Sequence, residues 1–409
     1  MNVLFLTLGK MDDVNQHGIY TDLLRCFLRA GDNVYVVSAH ERRENKPTTC
    51  TNMHAFHVLQ VKTGNIRECG LVEKGISTLL IERQYLASIN KFYHGITFDL
   101  VLYSTPPITF ANVIEHIVRR DKARSYLLLK DIFPQNAVDL GMMDKSGIKS
   151  VIYKFFRRKE LKLYRISDNI GCMSEANCDY IIRHTPFEIE SKIEVCPNSV
   201  EIPQRIILNQ NEKFLIRSKY SIPPKSRAII YGGNLGKAQG IPYLIEALRS
   251  QANNEKVFYA IIGKGTEYAK LEAFIANERI KNAILYKYMP EKEYDNLVRA
   301  CDVGLLFLDP RFSIPNFPSR LLSYMASGIP VLACTDPNTD VGKVITQGDF
   351  GWWCRSDDTE TFTKITEDIC ETPNLLKMGE NAYKYLCEHY DVTLAYKTIM
   401  SHVGGRKQL

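Results

Sequence analysis

FPSRLLSYMASGIPVLA, residues 317–333, reads as a short helix followed by a buried strand. Pro318 suits the first helical turn, where its missing N–H costs nothing. Leu321, Leu322 and Met325 recur at helical spacing and give one apolar face. Gly328 fits the position just past a helix end, and Pro330 blocks any continuation. Residues 331–334 are an apolar run of strand length. The free N–H groups from Ser319 and Arg320 onward point at whatever precedes Phe317. With the helix dipole they favour an anion there, and Arg320 adds a full charge. From this stretch alone, an ordinary buried helix–strand unit reads the same way.

The same alternation runs outward in both directions. Residues 3–8 are a buried strand, and Gly9 and Gly18 flank a polar loop that holds His17. Ile19, Leu23, Leu24, Phe27 and Leu28 then form a helical stripe closed by Gly31, and residues 34–37 are a second strand. Strand, glycine loop, helix and strand in that order mean parallel pairing and an α/β sheet. A ligand belongs at the carboxyl end of such strands, beside loop 9–18. No G-x-G-x-x-G occurs here, so a dinucleotide fingerprint is absent. Residues 42–75 are polar and resist assignment, and residues 75–92 look helical.

Residues 99–103 form another strand, stopped by Ser104-Thr105-Pro106-Pro107. Residues 126–129 lead into Lys130-Asp131-Ile132-Phe133-Pro134, so Asp131 also stands at a strand's carboxyl end, where site residues gather. Capping of the following turn is the alternative role for Asp131. Residues 152–165 carry six Lys or Arg against one acid, with aromatic residues interleaved. That pattern fits a membrane-surface contact or, equally, a solvated face over an internal core.

A chain of 409 residues suggests two domains of roughly 200 residues each. We place them at 1–203 and 204–385, with a C-terminal helix in 386–409 that packs back on the first. The net charge of +6 is modest and does not point to nucleic acid, which needs a concentrated basic face. No apolar run approaches the ~18 residues of a membrane span, and no charged n-region opens the chain. Eleven scattered cysteines without a CxxC pair indicate neither zinc nor a disulfide framework. A reducing cytoplasm is the expected compartment.

The second half gathers three loops at strand ends, 232–240, 263–265 and 315–320, carrying Lys237, Lys264 and Arg320. Backbone amides plus cations at one sheet edge suit a diphosphate. No His/Asp/Glu cluster with metal-ligand spacing lies near these loops.

Taken together these residues resemble the retaining glycosyltransferases of family 4, which have the GT-B fold of two Rossmann-like domains. YGGNLGKAQGIPYLIEAL at 231–248 looks like that family's glycine loop in the nucleotide domain, Gly263-Lys264-Gly265-Thr266-Glu267 like its G-x-G-x-E loop, and 317–330 like its donor motif. The first loop and helix look like its Gly-Gly loop. Ser104-Thr105-Pro106-Pro107 with Asp131-Ile132-Phe133-Pro134 is similar to a branch that builds bacterial capsule and O-antigen, the N-acetylfucosamine transferases.

The resemblance implies a nucleoside-diphosphate sugar donor, UDP-linked, on the second domain. It implies a glycan or undecaprenyl-diphosphate-linked acceptor on the first, no cofactor or metal, and work at the cytoplasmic face of the inner membrane. By the same resemblance Asp131, Lys237 and Arg320 act on the reaction. Gly18, Gly233, Asn234, Gly236, Gln239, Gly263, Lys264, Tyr288, Asn316, Phe317 and Ser319 contact the donor, and His17, Thr105 and Pro106 the acceptor. The sequence departs from the family's E-x7-E pair, whose positions are Pro315 and Ser323 here, and from its loop Arg and Lys, here Asn234 and Gln239. Two acids and two cations are lost together, which leaves the local charge balance unchanged and implies a relocated diphosphate clamp. A nucleotide-sugar 2-epimerase would need paired acid/base groups, and a non-catalytic binding subunit of the same architecture is the other alternative.

Overall fold

The computed structural model describes residues 1–66, 69–147 and 150–404. It divides into two compact units, Met1–Glu201 together with the chain from Asp391 on, and Ile202–Tyr390.

The first unit is built on β1 (Asn2–Leu6), β2 (Asn33–Glu41), β3 (Thr49–Met53), β4 (Phe56–Thr63), β5 (Leu100–Ser104), β6 (Arg124–Leu129), β7 (Asn169–Cys172) and β8 (Ile193–Val195). Their order is 3-4-2-1-5-6-7-8. Every pair is parallel except β3–β4, which is antiparallel. β1 and β5 are apolar along their length because helices cover both faces of a parallel sheet. The order in which the chain adds strands reverses between β1 and β5, which opens a crevice at their carboxyl ends.

The strands β3 and β4 occupy the stretch that resisted sequence assignment. β4 alternates, with Phe56, Val58, Leu59 and Val61 buried. β3, TCTNM, is a polar and largely exposed edge strand, so no apolar signal marks it. The helix expected from residue 75 begins at Leu71 and runs to Phe92. The final helix, Val392–Ser401, sets Tyr396 and Ile399 into the core beside Phe27, with the Phe27 and Tyr396 rings 4.9 Å apart.

The second unit has β9 (Arg227–Asn234), β10 (Val257–Lys264), β11 (Ala283–Tyr286), β12 (Val303–Phe307), β13 (Val331–Thr335) and β14 (Gly351–Arg355). The order 11-10-9-12-13-14 is parallel throughout. This is the doubly wound pattern whose switch point lies between its first and fourth strands, here β9 and β12. Ile229, Tyr231, Ile261, Leu305, Phe307 and Leu332 build the core there. The helix read from Pro318 runs Arg320–Ser327. Pro318 instead supplies the carbonyl that accepts the Leu321 N–H at 3.1 Å. Gly328 ends the helix at φ +66°, and a Cβ there would lie 2.7 Å from Arg205 Nε.

Candidate functional site

At the switch point of the second unit, β9 ends in Gly232-Gly233-Asn234 and β12 leads into the Arg320 helix. Between them lies a cavity of about 480 Å³ lined by Gly233, Gln239, Leu308, Pro318, Ser319, Arg320 and Ser323. The Arg320 guanidinium lies over the Tyr231 ring, 4.3 Å from its centroid. Tyr294 and Tyr324 stand beside it. Burial holds all three phenols above the ordinary tyrosine range, Tyr294 at about 12, so they stay neutral. Among the described residues, Arg320 has no carboxylate partner. A largely desolvated cation held only by ring faces and phenols favours an anion in the cavity beside it.

The glycines make room for this arrangement. A Cβ on Gly233 would sit 2.1 Å from Arg320 Nη2, and one on Gly232 2.0 Å from the Tyr294 hydroxyl. Gly233 has φ +132°, which L side chains rarely adopt. Gly263 lets β10 approach closely, since a Cβ there would meet the Gly233 carbonyl at 2.0 Å. The Tyr231 hydroxyl donates to the Asn234 carbonyl at 2.7 Å, and Gly236 starts the turn that carries Lys237 and Gln239. Lys237 and Lys264 are exposed at these strand ends, and neither has a carboxylate partner among the described residues. Gln239 Oε1 and Asn316 Nδ2 are buried atoms with no hydrogen-bond partner. No side chain caps the Arg320 helix; the Leu321 and Leu322 N–H groups bond the Pro318 and Ser319 carbonyls at 3.1 Å, which leaves those of Ser319 and Arg320 to face a ligand.

Thus Gly233, Gln239, Ser319 and Arg320 come together around one cavity, with Asn234, Gly236, Lys237, Gly263 and Lys264 in the adjoining loops. Phe317 is instead buried against Tyr390, with ring centroids 6.1 Å apart. Tyr288 is an exposed side chain after β11. Sequence reading missed the tyrosine cage. Tyr294 and Tyr324 sit on helices at spacings that read as core, and only the fold brings them to one cation.

In the first unit, a cavity of about 510 Å³ is lined by Gly9, Glu41, Arg43, Lys74, Pro106, Thr109, Asp131 and Phe156, among others. Asp131 stands just past β6. Asn136 Nδ2 donates to both of its oxygens at 2.8 Å. Burial pushes its carboxyl up to about 6, against the pull of the Ile132 N–H and of Asn136. Thr105 organises this turn. Its hydroxyl donates to the Asp131 carbonyl at 2.9 Å and accepts the N–H groups of Lys130 and Asp131 at 3.1 and 3.2 Å. Thr105 is therefore spent on the backbone, while Pro106 reaches the cavity.

The Gly18 N–H donates to Asp22 Oδ1 at 3.1 Å. His17 is exposed, 3.9 Å from the same carboxylate. His17, Asp22 and Glu201 lie close enough to share a metal ion. The Arg25 guanidinium, however, bridges Asp22 and Glu201, and Arg29 pairs with Glu201 at 2.6 Å, so two cations already balance the two acids.

Gly233→Ala tests the second-unit site. We expect the fold to survive, read by circular dichroism, while the displaced Arg320 weakens binding of a nucleoside diphosphate by about tenfold or more, read by calorimetry.

Residues 212–385 match the family model Glycosyl transferases group 1. The chain is 22% identical over 320 residues to the probable glycosyltransferase WbjE of Pseudomonas aeruginosa, covering 78% of this chain and 77% of the relative. It is 22% identical over 249 residues to the putative colanic acid biosynthesis glycosyl transferase WcaI of Escherichia coli K12, covering 60% of each. Among solved structures, HepE of Anabaena in complex with UDP superposes with a TM-score of 0.70 at 15% identity, over 98% of this chain and 99% of that one. Residues 212–385 thus match the glycosyl transferases group 1 model, and the chain has the fold of two Rossmann-like units seen in solved GT-B glycosyltransferases.

Proposed function

We propose that the protein is a retaining family 4 enzyme that moves a hexosyl or N-acetylhexosaminyl group from a UDP-sugar to a glycan acceptor. The acceptor is carried on a lipid diphosphate of the undecaprenyl kind, at the cytoplasmic face of the inner membrane. The product enters a bacterial surface polysaccharide, capsule or O-antigen. The observation that carries this reading is the Arg320 guanidinium, which faces a cavity at a sheet switch point with no acid among the described residues to balance it. Further support comes from the name of WcaI, which speaks of colanic acid biosynthesis, and from HepE, whose structure holds UDP.

In this mechanism the donor diphosphate takes the place of the missing counter-ion. The Arg320 guanidinium and the N–H groups of Ser319 and Arg320 bind the diphosphate, with Lys237 and Lys264 adding charge from the neighbouring loops. The bond from the anomeric carbon to the phosphate oxygen breaks first, and its electron pair leaves with UDP. The same cations stabilise that growing charge, which is where such a site lowers the barrier. The acceptor hydroxyl attacks from the face the diphosphate has left, and its proton passes to the departing phosphate oxygen. In the first unit, Asp131 accepts a hydrogen bond from the acceptor and fixes the attacking hydroxyl.

UDP release, measured with and without acceptor, is the direct assay. Arg320→Ala should lower turnover ~100-fold, about 3 kcal/mol for one charge-assisted donor in a closed site. Turnover equal to the parent's would refute the clamp. Activity should persist in excess EDTA, because cations already occupy the role a metal would fill. Loss in chelator with recovery on adding magnesium would overturn this. Asp131 titrates near 6, so it is ionised above that pH and protonated below it. The acceptor-dependent rate should therefore fall as pH drops through about 6. Asp131→Asn should lower the rate and remove that limb, while leaving UDP binding intact.

A further inference from the structure

The Asp131 cavity is bordered by two helices, Leu71–Phe92 and Ser150–Ile166. Thr78 and Ile81 of the first and Phe156 of the second line it. Further along, Lys159 of the second pairs with Glu82 of the first at 2.6 Å, and the helix Ala111–Asp121 packs against both.

Their outer faces are unlike those of an ordinary solvated helix. Ile76, Leu79 and Leu80 on the first, and Val151, Ile152 and Phe155 on the second, are exposed by 38% to 67%. Each apolar stripe ends in an exposed cation. Arg83 lies three and four residues beyond Leu80 and Leu79. Lys154 and Arg158 fall three and seven residues beyond Val151, on the face of Phe155. Spacings of three, four and seven put these residues on one side of each helix.

The remaining basic residues of the second helix are spent inside the unit. Arg157 bonds Glu160 and the His184 carbonyl. Lys162 pairs with Glu115 at 2.7 Å, and Arg165 lies 4.5 Å from the Phe187 ring. Arg83, Lys154 and Arg158 have no acidic partner among the described residues. Large apolar side chains bordered by unpaired cations match the headgroup boundary of an anionic bilayer, where the apolar groups enter and the cations meet lipid phosphates.

We propose that these two outer faces together form the surface by which the protein seats on an anionic lipid bilayer, presenting the Asp131 cavity to a lipid-linked acceptor. This rests on the reading of the acceptor as lipid-linked, but the surface can be tested without sugar transfer.

The full-length protein is mixed at low ionic strength with vesicles of equal phosphatidylglycerol and phosphatidylcholine, or of phosphatidylcholine alone, and sedimented. One variant combines Leu79→Gln, Leu80→Gln, Ile152→Gln and Phe155→Gln. A second combines Arg83→Gln and Arg158→Gln. We expect the parent to partition onto the anionic vesicles, and the first variant to lose about tenfold or more of that binding. The second should lose the preference for anionic over neutral vesicles. UDP binding, read by calorimetry, should be unchanged in both. Parent protein that stays in solution, or a first variant that binds vesicles like the parent, overturns the proposal. So does a parent dimer in analytical ultracentrifugation that the first variant abolishes while vesicles bind neither protein, since the face would then join two copies. Failure of sugar transfer would show in the UDP-release assay alone and leave the vesicle result standing.

Discussion

A guanidinium set against three neutral tyrosines, with no carboxylate among the described residues to answer it, is the condition from which the second unit's site follows. Removing a cation from water is costly, and an acid partner is the common way to offset that cost. Here the offset comes from the face of Tyr231 and the phenols of Tyr294 and Tyr324, which is weaker. Such a cation gains more from an arriving anion than one already paired, because no existing bond must be broken. The glycines at 232 and 233 are the geometric counterpart of this choice. Side chains there would occupy the space that Arg320 and Tyr294 fill.

Both sheets are wound so that chemistry and stability occupy different parts of the same strands. The bodies of β1, β5, β9 and β12 are buried and apolar. Their carboxyl ends turn into polar loops at the switch points. Asp131, just past β6, and Arg320, in the helix that follows β12, lie at that same side of their sheets. Exchanging residues there need not disturb the core.

The parallel units, the glycine loops, Arg320 and Asp131 were legible because each is a local signal: an apolar run, a glycine cluster, or a charged residue at a strand end. Three features were not. β3, TCTNM at a sheet edge, has no apolar run or alternation, so nothing in its pattern separates it from a loop. The tyrosine cage joins positions 231, 294 and 324, and each alone reads as helix or strand core. The basic stretch 152–165 could not be divided into spent and free charges, because Glu82, Glu115 and the His184 carbonyl come from other parts of the chain. Phe317 misled for the same reason, since its packing partner, Tyr390, lies 73 positions away in the numbering.

The chain leaves the first unit after Glu201 and re-enters it at Asp391, where the Val392 N–H donates to the Val200 carbonyl at 3.0 Å. The returning helix closes the core around Phe27 with Tyr396 and Ile399. During synthesis, therefore, the half that begins first is finished last. Its apolar cluster stays uncovered while the whole second unit is made, at the ordinary elongation rate an interval of about 10 to 40 seconds for some 190 residues. Ribosome-bound chains stopped before Val392 would therefore leave that cluster open to water.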